Sequence, residues 1–148
     1  MILLTPELRA LLRANDIAHR AAQSGGTAEP DPAPVVKFFN PVGAATWLAI
    51  ELDPDGDTLF GLADLGFGCP ELGSFSLREL ASIRLPFGIG IERDLGFESR
   101  NRISTWAAWS RRAGSILLAE TLLRRATPQS QLIELLPDPD PEGTGTDS

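Results

Sequence analysis

Residues that usually carry catalytic or metal chemistry are scarce in this chain. Its 148 residues include one cysteine, Cys69, and one histidine, His19. An intramolecular disulfide and a zinc site with ordinary cysteine and histidine spacing are therefore excluded. A lone thiol is typical of a reducing compartment. His19 is also the only possible partner for Cys69 in a Cys/His catalytic pair. Because no neighbouring residue activates Cys69, we expect an unreactive thiol that is either buried or in a turn.

Long apolar runs are also missing. No stretch approaches the roughly 20 apolar residues that a membrane-spanning helix needs. Residues 1–4 are apolar, but they lack the basic segment and the cleavage site of a secretory signal. No Gly-Lys-Ser/Thr phosphate loop is present. We therefore expect a cytoplasmic protein with no membrane contact, no metal and no cofactor.

The charged residues are segregated along the chain, whose formal net charge is −7. Residues 51–79 hold seven carboxylates against one arginine, residues 100–125 hold six arginines against one glutamate, and residues 138–148 hold four carboxylates and no basic residue. The chain therefore has an acidic middle, a basic C-terminal third and an acidic tail. Residues 137–148 are predicted to be a disordered acidic tail.

Local signals predict an α+β fold with a small antiparallel sheet. Thr5-Pro6-Glu7 is a helix start, which indicates an N-terminal helix over residues 6–21. Apolar runs separated by turn residues predict four or five strands. They lie at residues 35–39, 46–52, 58–62, 71–75 and 91–97.

Further helices are predicted in the second half of the chain. Ser76-Leu77-Arg78-Glu79 matches a capping box and predicts a short helix over residues 77–83. Residues 103–125 have helical periodicity, and Gly114-Ser115 is expected to divide them into two helices.

Several ordered blocks of this sequence resemble a known family. They are Val36-Lys37-Phe38-Phe39-Asn40-Pro41, the long block from Pro70 to Leu80, and Ile91-Glu92-Arg93-Asp94. The family comprises small bacterial proteins that are catalogued as a domain of unknown function and are often encoded on plasmids and integrative elements. The resemblance covers residues 1–98, which are therefore expected to form a family-like domain. Residues 99–136 lie beyond it and are expected to be an arginine-rich helical extension. The resemblance implies a small α+β domain and a mobile genetic element as its setting, and it implies no activity, cofactor or site residue.

Glu92 and Asp94 form the most suggestive acidic pair. On a strand they share a face, while Arg93 points to the other side. Two carboxylates at this spacing, together with Glu71, could act as acid and base or bind a cation. The alternative is a structural role, with Arg93 engaged in an ion pair or exposed as a binding residue.

The segment Asp53-Pro54-Asp55-Gly56-Asp57 superficially resembles a calcium loop. An EF-hand requires glycine at its sixth position and glutamate at its twelfth, but this chain has Thr58 and Asp64 there. A hairpin turn is therefore expected.

Two further groups of residues are candidates for binding. Aromatic side chains beside a basic residue can stack nucleic acid bases, although on strands they more often form the core. Arginines on an amphipathic helix can contact phosphate or a protein partner, or can simply be solvated. The candidates from the two groups are Lys37, Trp47, Arg100, Arg102, Arg111 and Arg112.

The sequence as a whole favours a non-catalytic accessory or regulatory protein that binds a protein or nucleic acid partner. The alternative is a small hydrolase or metal-dependent enzyme that uses Glu92 and Asp94.

Overall fold

A computed structural model describes residues 1–126 of the protein. The strands are β1 (Val36–Phe39), β2 (Thr46–Leu52), β3 (Thr58–Asp64), β4 (Glu71–Ser76) and β5 (Glu92–Arg93). The helices are α1 (Pro6–Gly25), α2 (Leu77–Ser82), α3 (Ile103–Ala113) and α4 (Ile116–Ala126). A single 3-10 turn at Pro86–Gly88 precedes β5. The acidic tail predicted for residues 137–148 lies outside the described residues.

The five strands form one antiparallel sheet in the order β4-β3-β2-β1-β5. β1, β2, β3 and β4 are joined by successive hairpins, and β5 returns to pair with β1 at the far edge. The predicted α+β class and the predicted hairpin over residues 46–62 are therefore confirmed.

The helix ends follow the capping signals in the sequence. The hydroxyl of Thr5 accepts a hydrogen bond from the amide of Leu8 at 3.1 Å, and Pro6 occupies the first helical turn. At the start of α2, the hydroxyl of Ser76 accepts from the amide of Glu79 at 3.1 Å. Gly114 ends α3 in the left-handed conformation, as the predicted division of the C-terminal helices requires.

Helices cover both faces of the sheet. On one face, α1 and α2 close a core cluster whose buried members are Leu3, Leu4, Leu12, Val36, Phe38, Trp47, Ala49, Leu52, Leu59, Leu80 and Ile91. On the other face, α3 and α4 close a second cluster, formed by Leu48, Ile50, Leu62, Ile103, Trp106, Ala107, Ile116 and Leu123. The helices that follow residue 98 therefore share a core with strands that precede it. A sheet covered on both sides explains why all seven residues of β2 are buried.

A β-bulge between Ala49 and Glu51 changes the side-chain alternation of β2. Ala49 and Leu52 lie three residues apart and would face opposite sides of a regular strand, yet both belong to the first core cluster. Glu51 pairs with Phe60, which packs on the second cluster, so the two side chains share a face. The bulge thereby places a buried carboxylate on the face that Phe60 shares.

The last strand is shorter than predicted. The sequence pattern indicated a strand over residues 91–97, but β5 contains only Glu92 and Arg93. The chain turns immediately afterwards: the side chain of Asp94 accepts from the amide of Gly96 at 3.0 Å, and its carbonyl accepts from the amide of Phe97 at 3.2 Å. This local turn competes with continued pairing to β1.

Candidate functional site

The three predicted acidic residues do not converge. Glu71 begins β4 at one edge of the sheet, whereas Glu92 lies in β5 at the opposite edge and Asp94 directly follows it. A single site that combines all three carboxylates is therefore ruled out by the strand order. Within residues 1–126, no group of three or more His, Cys, Asp or Glu side chains is placed to hold a metal ion.

Lys37 forms the centre of a buried ion-pair cluster. Its side chain is 8% exposed, and its ammonium lies 2.7 Å from an oxygen of Glu120 in α4 and 3.4 Å from an oxygen of Asp94. The ammonium also lies 5.8 Å from the ring centroid of Phe39. Lys37 and Asp94 line an open cleft of about 350 Å³ beside the β1–β2 loop. Sequence reasoning singled out Lys37 but not its partner Glu120, which lies 83 residues further along the chain.

Two other predicted binding residues have structural contacts. The guanidinium of Arg93 donates to the backbone carbonyls of Ile2 and Leu3, at 2.7 and 2.9 Å, and so fastens the N-terminal segment to the sheet edge. Trp47 is buried in the first core cluster, and its ring does not face solvent.

The predicted arginines lie at opposite ends of α3. Arg100 and Arg102 precede the helix, and Arg111 and Arg112 occupy its last turn. A helix of this length separates its two ends by about 15 Å. The four exposed side chains therefore do not form one compact basic patch.

Three of the exposed apolar residues lie at one end of the sheet, on the loops at residues 40–45 and 65–70. Val42 and Leu65 are each 58% exposed, and Phe67 is 82% exposed. The two loops are adjacent, since a Cβ added at Gly66 would lie 3.6 Å from the Cβ of Ala44. We call Val42, Leu65 and Phe67 the apolar loop end.

The apolar loop end rests on a fixed base. The buried carboxylate of Asp64 accepts from the amide of Gly66 at 2.8 Å and from the amide of Ile116, at the start of α4, at 2.9 Å. Phe67 projects between two glycines with positive φ, Gly66 and Gly68. Such backbone conformations are open to glycine at little cost, so the loop can present an aromatic side chain to solvent. Cys69, in the same loop, is exposed, and its thiol is free.

A second polar cluster, which the sequence pattern did not reveal, surrounds His19 on α1. The Nδ1 atom lies 2.9 Å from an oxygen of Glu51, whose side chain is 10% exposed. The Nε2 atom lies 3.2 Å from an oxygen of Glu29, which is 60% exposed; this contact is an ion pair when the ring is protonated, and it is not an aligned hydrogen bond. The hydrogen bond that the Nδ1–H group of His19 donates to Glu51 raises the pKa of His19 despite the opposing effect of burial, and the charges of Glu51 and Glu29 add to the rise.

The surroundings of His19 are also charged. Asp16 is buried and accepts from Arg13 at 2.7 Å and from Arg20 at 2.9 Å, and these two arginines lower its pKa against the effect of burial. Arg20 also lies 3.6 Å from Asp53. A pocket of about 220 Å³ opens here between α1 and the sheet. No local motif in the sequence identifies these residues. They lie on α1 and on or next to the bulged strand β2, which are distant in sequence and come together only in the folded protein.

The aspartates after β2 act as turn and cap residues. The carboxylate of Asp55 accepts from the amides of Asp57 and Thr58 and from the Thr58 hydroxyl, which lowers the pKa of Asp55 to about 2. Asp57 accepts from the amide of Arg78 and the hydroxyl of Ser76, and these bonds lower its pKa. The prediction of a hairpin loop in place of a calcium loop is consistent with these contacts.

Comparison with known proteins gives two matches. A family model described as "Protein of unknown function (DUF2958)" matches residues 3–117, which include all five strands and α3. A curated protein from Flavobacterium lutescens, "Dihydroorotate dehydrogenase (quinone)", is 35% identical over 99 residues; the match covers 60% of this chain and 27% of that protein. The chain thus spans about a quarter of that relative's length. No solved structure matches the chain. No helix within residues 1–126 is long and apolar enough to cross a membrane.

Proposed function

The chain belongs to the family of proteins of unknown function DUF2958, and from its own surface we propose that it is a non-catalytic accessory protein that binds a protein partner through the apolar loop end. This proposal is supported mainly by the exposure of three apolar side chains on two adjacent loops, namely Val42, Leu65 and Phe67. The setting on a mobile genetic element is part of the proposal and rests on the resemblance of the sequence blocks.

Exposure of this kind favours a protein partner. Contiguous exposed apolar side chains mark interaction surfaces, and aromatic residues contribute strongly to binding energy when a partner buries them. Phe67 stands on a loop whose base is tied down by Asp64. The ring can therefore enter an apolar pocket on the partner with little ordering of the loop.

The arrangement of the basic residues gives less support to a nucleic acid partner than to a protein partner. Arg13 and Arg20 are engaged with Asp16, Arg93 holds the N-terminal segment, and Lys37 is paired with two carboxylates. The arginines at the two ends of α3 are separated by the length of that helix.

Affinity purification from the native host, with and without nuclease, tests the proposal. The baits are the wild-type protein, the double variant Leu65→Ser/Phe67→Ser, and the control Ile17→Ser. Ile17 lies on α1 and is 58% exposed, the same fraction as Leu65. We expect a stoichiometric protein that survives nuclease and binds the wild type and the control, and that loses at least about tenfold in affinity for the double variant when it is purified.

Three outcomes would contradict the proposal. A partner that binds the double variant as well as the wild type would place the interface elsewhere. Recovery of nucleic acid alone would replace a protein partner by phosphate recognition, to be followed by a salt titration. An empty eluate from all baits would count against a stable binding function.

A second candidate function is small-molecule hydrolysis in the cleft beside Lys37. The observation that favours it is the position of Asp94, which lines this cleft and follows Glu92 by two residues. In an enzyme of this kind, Glu92→Gln would abolish turnover of an ester or phosphoester substrate and leave the melting temperature unchanged. Equal turnover by the variant and the wild type would eliminate these carboxylates as the catalytic pair.

A further inference from the structure

The α1–β1 loop, residues 26–35, connects the helical layers on the two faces of the sheet. Near its start, Glu29 contacts His19 on α1. Two residues later, the carboxylate of Asp31 accepts from the amide of Ser104 at 3.1 Å and from the Ser104 hydroxyl, and the carbonyl of Pro32 accepts from the amide of Ile103 at 2.8 Å. The loop therefore supplies the cap at the start of α3, where the preceding residue makes no side-chain cap.

His19 faces two carboxylates with its two ring nitrogens. A neutral imidazole carries one N–H group and a protonated imidazole carries two, so both carboxylates are satisfied only when the ring is charged. Glu51 is the more buried partner and lies 0.3 Å closer, at 2.9 against 3.2 Å. When the ring loses a proton, Nδ1 keeps its hydrogen for Glu51, and Glu29 then faces the lone pair of Nε2.

We propose that His19 is a pH-operated latch on the α1–β1 loop. The protonated ring holds Glu29, and with it the loop segment that caps α3; the neutral ring releases Glu29 and loosens that cap. The latch lies between α1 and the edge of β2, and its consequence appears across the sheet at residues 103 and 104.

The other charged groups near the His19 ring are paired with one another, so they do not offset the effect of pH on the contact between His19 and Glu29. On α1, Asp16 is paired with Arg13 and Arg20; on the β2–β3 loop, Asp53 lies near Arg20. These contacts largely compensate one another, whereas Glu51 and Glu29 face the imidazole directly. Because Glu51 and Glu29 raise the pKa of His19, the loop is held at pH values below that raised pKa and released above it.

Nuclear magnetic resonance of the untagged full chain tests the latch. His19 is the only histidine, so the single imidazole Cε1–H signal reports its titration directly. The second readout is hydrogen exchange at the amides of Ile103 and Ser104, corrected for the intrinsic effect of pH. We expect their protection to be highest below the ordinary pKa of a histidine, to fall by at most about tenfold per pH unit as the pH rises from there through the raised pKa of His19, and to level off above it.

The variant Glu29→Gln separates the latch from a general effect of pH. A glutamine amide can donate to the neutral ring, so the protection of Ile103 and Ser104 is expected to lose its dependence on pH while His19 still titrates. The control Glu71→Gln removes one exposed carboxylate at the β4 edge and is expected to behave as the wild type. Protection that stays constant through the titration of wild-type His19, or that keeps its pH dependence in Glu29→Gln, would overturn the proposal.

Discussion

Substitution of Gly61 by alanine is expected to disrupt the centre of the sheet. Gly61 lies in β3 opposite Ala49, next to the bulge, and a Cβ added there would lie 1.8 Å from the backbone carbonyl oxygen of Leu48. Real Cβ atoms essentially never approach closer than 3.0 Å, so β2 and β3 would have to separate locally by about 1.2 Å, the difference between these two distances. Both strands are fixed between helices on either face, so we expect a loss of about 3 kcal/mol or more in the free energy of unfolding.

The neighbouring strand offers a matched control. Gly73 is the cross-strand partner of Gly61 on β4, and a Cβ added at Gly73 meets nothing within 4 Å. Gly73→Ala is expected to be neutral or to stabilise by up to about 1 kcal/mol, because alanine restricts the unfolded chain.

Urea unfolding of the wild type and the two variants, followed by circular dichroism, measures this difference. A loss of 3 kcal/mol corresponds to a fall of about 10 °C in melting temperature for a domain of this size. If Gly61→Ala unfolds within about 1 kcal/mol of the Gly73→Ala variant, the close approach of the two strands is not a constraint on the fold.

Three further substitutions test contacts described above. Asp64→Ala removes the buried acceptor of the Ile116 amide and should reduce the free energy of unfolding by about 1–3 kcal/mol in urea; a loss under about 0.5 kcal/mol would contradict its capping role. Arg93→Gln removes the contacts to two N-terminal carbonyls and should speed proteolysis of residues 1–4, whereas an unchanged cleavage rate would show that the segment is held by other contacts. The lowered pKa of Asp55 means that its stabilising contribution is present above about pH 4 and is lost as the pH falls through about 2. Asp55→Asn should therefore flatten the acid dependence of the melting temperature in that window, and an unchanged acid profile would argue against it.

Signals carried by neighbouring residues were predictable from the sequence. Thr5 and Ser76 cap helices as expected, because a hydroxyl reaches only amides within the next turn. The turn after β2 was also predictable, since Asp55 bonds to residues two and three positions away. The strand predicted over residues 91–97 was longer than β5. The alternation of apolar and polar side chains in a short segment does not show how far the segment pairs with a neighbouring strand.

The residues of the candidate sites were only partly predictable. Lys37 was identified as a basic residue on a strand, but its burial and its pairing with Glu120 depend on where α4 packs. The His19–Glu51 contact depends on the bulge in β2, which places the Glu51 side chain on the face it shares with Phe60. The apolar loop end combines two loops that are distant in sequence and adjacent in space.

The sequence by itself therefore determined the α+β class, the hairpin of β2 and β3, the helix caps, and the exclusion of an intramolecular disulfide and of a zinc site with ordinary cysteine and histidine spacing. Each of these depends on residue content or on contacts within a few positions. The tertiary structure decided which charges are buried, which arginines are engaged and which apolar side chains stay exposed. Those outcomes depend on contacts between strands and helices that lie tens of residues apart. The periodic spacing of side chains identifies the faces of one helix or strand, and it does not identify contacts between distant elements.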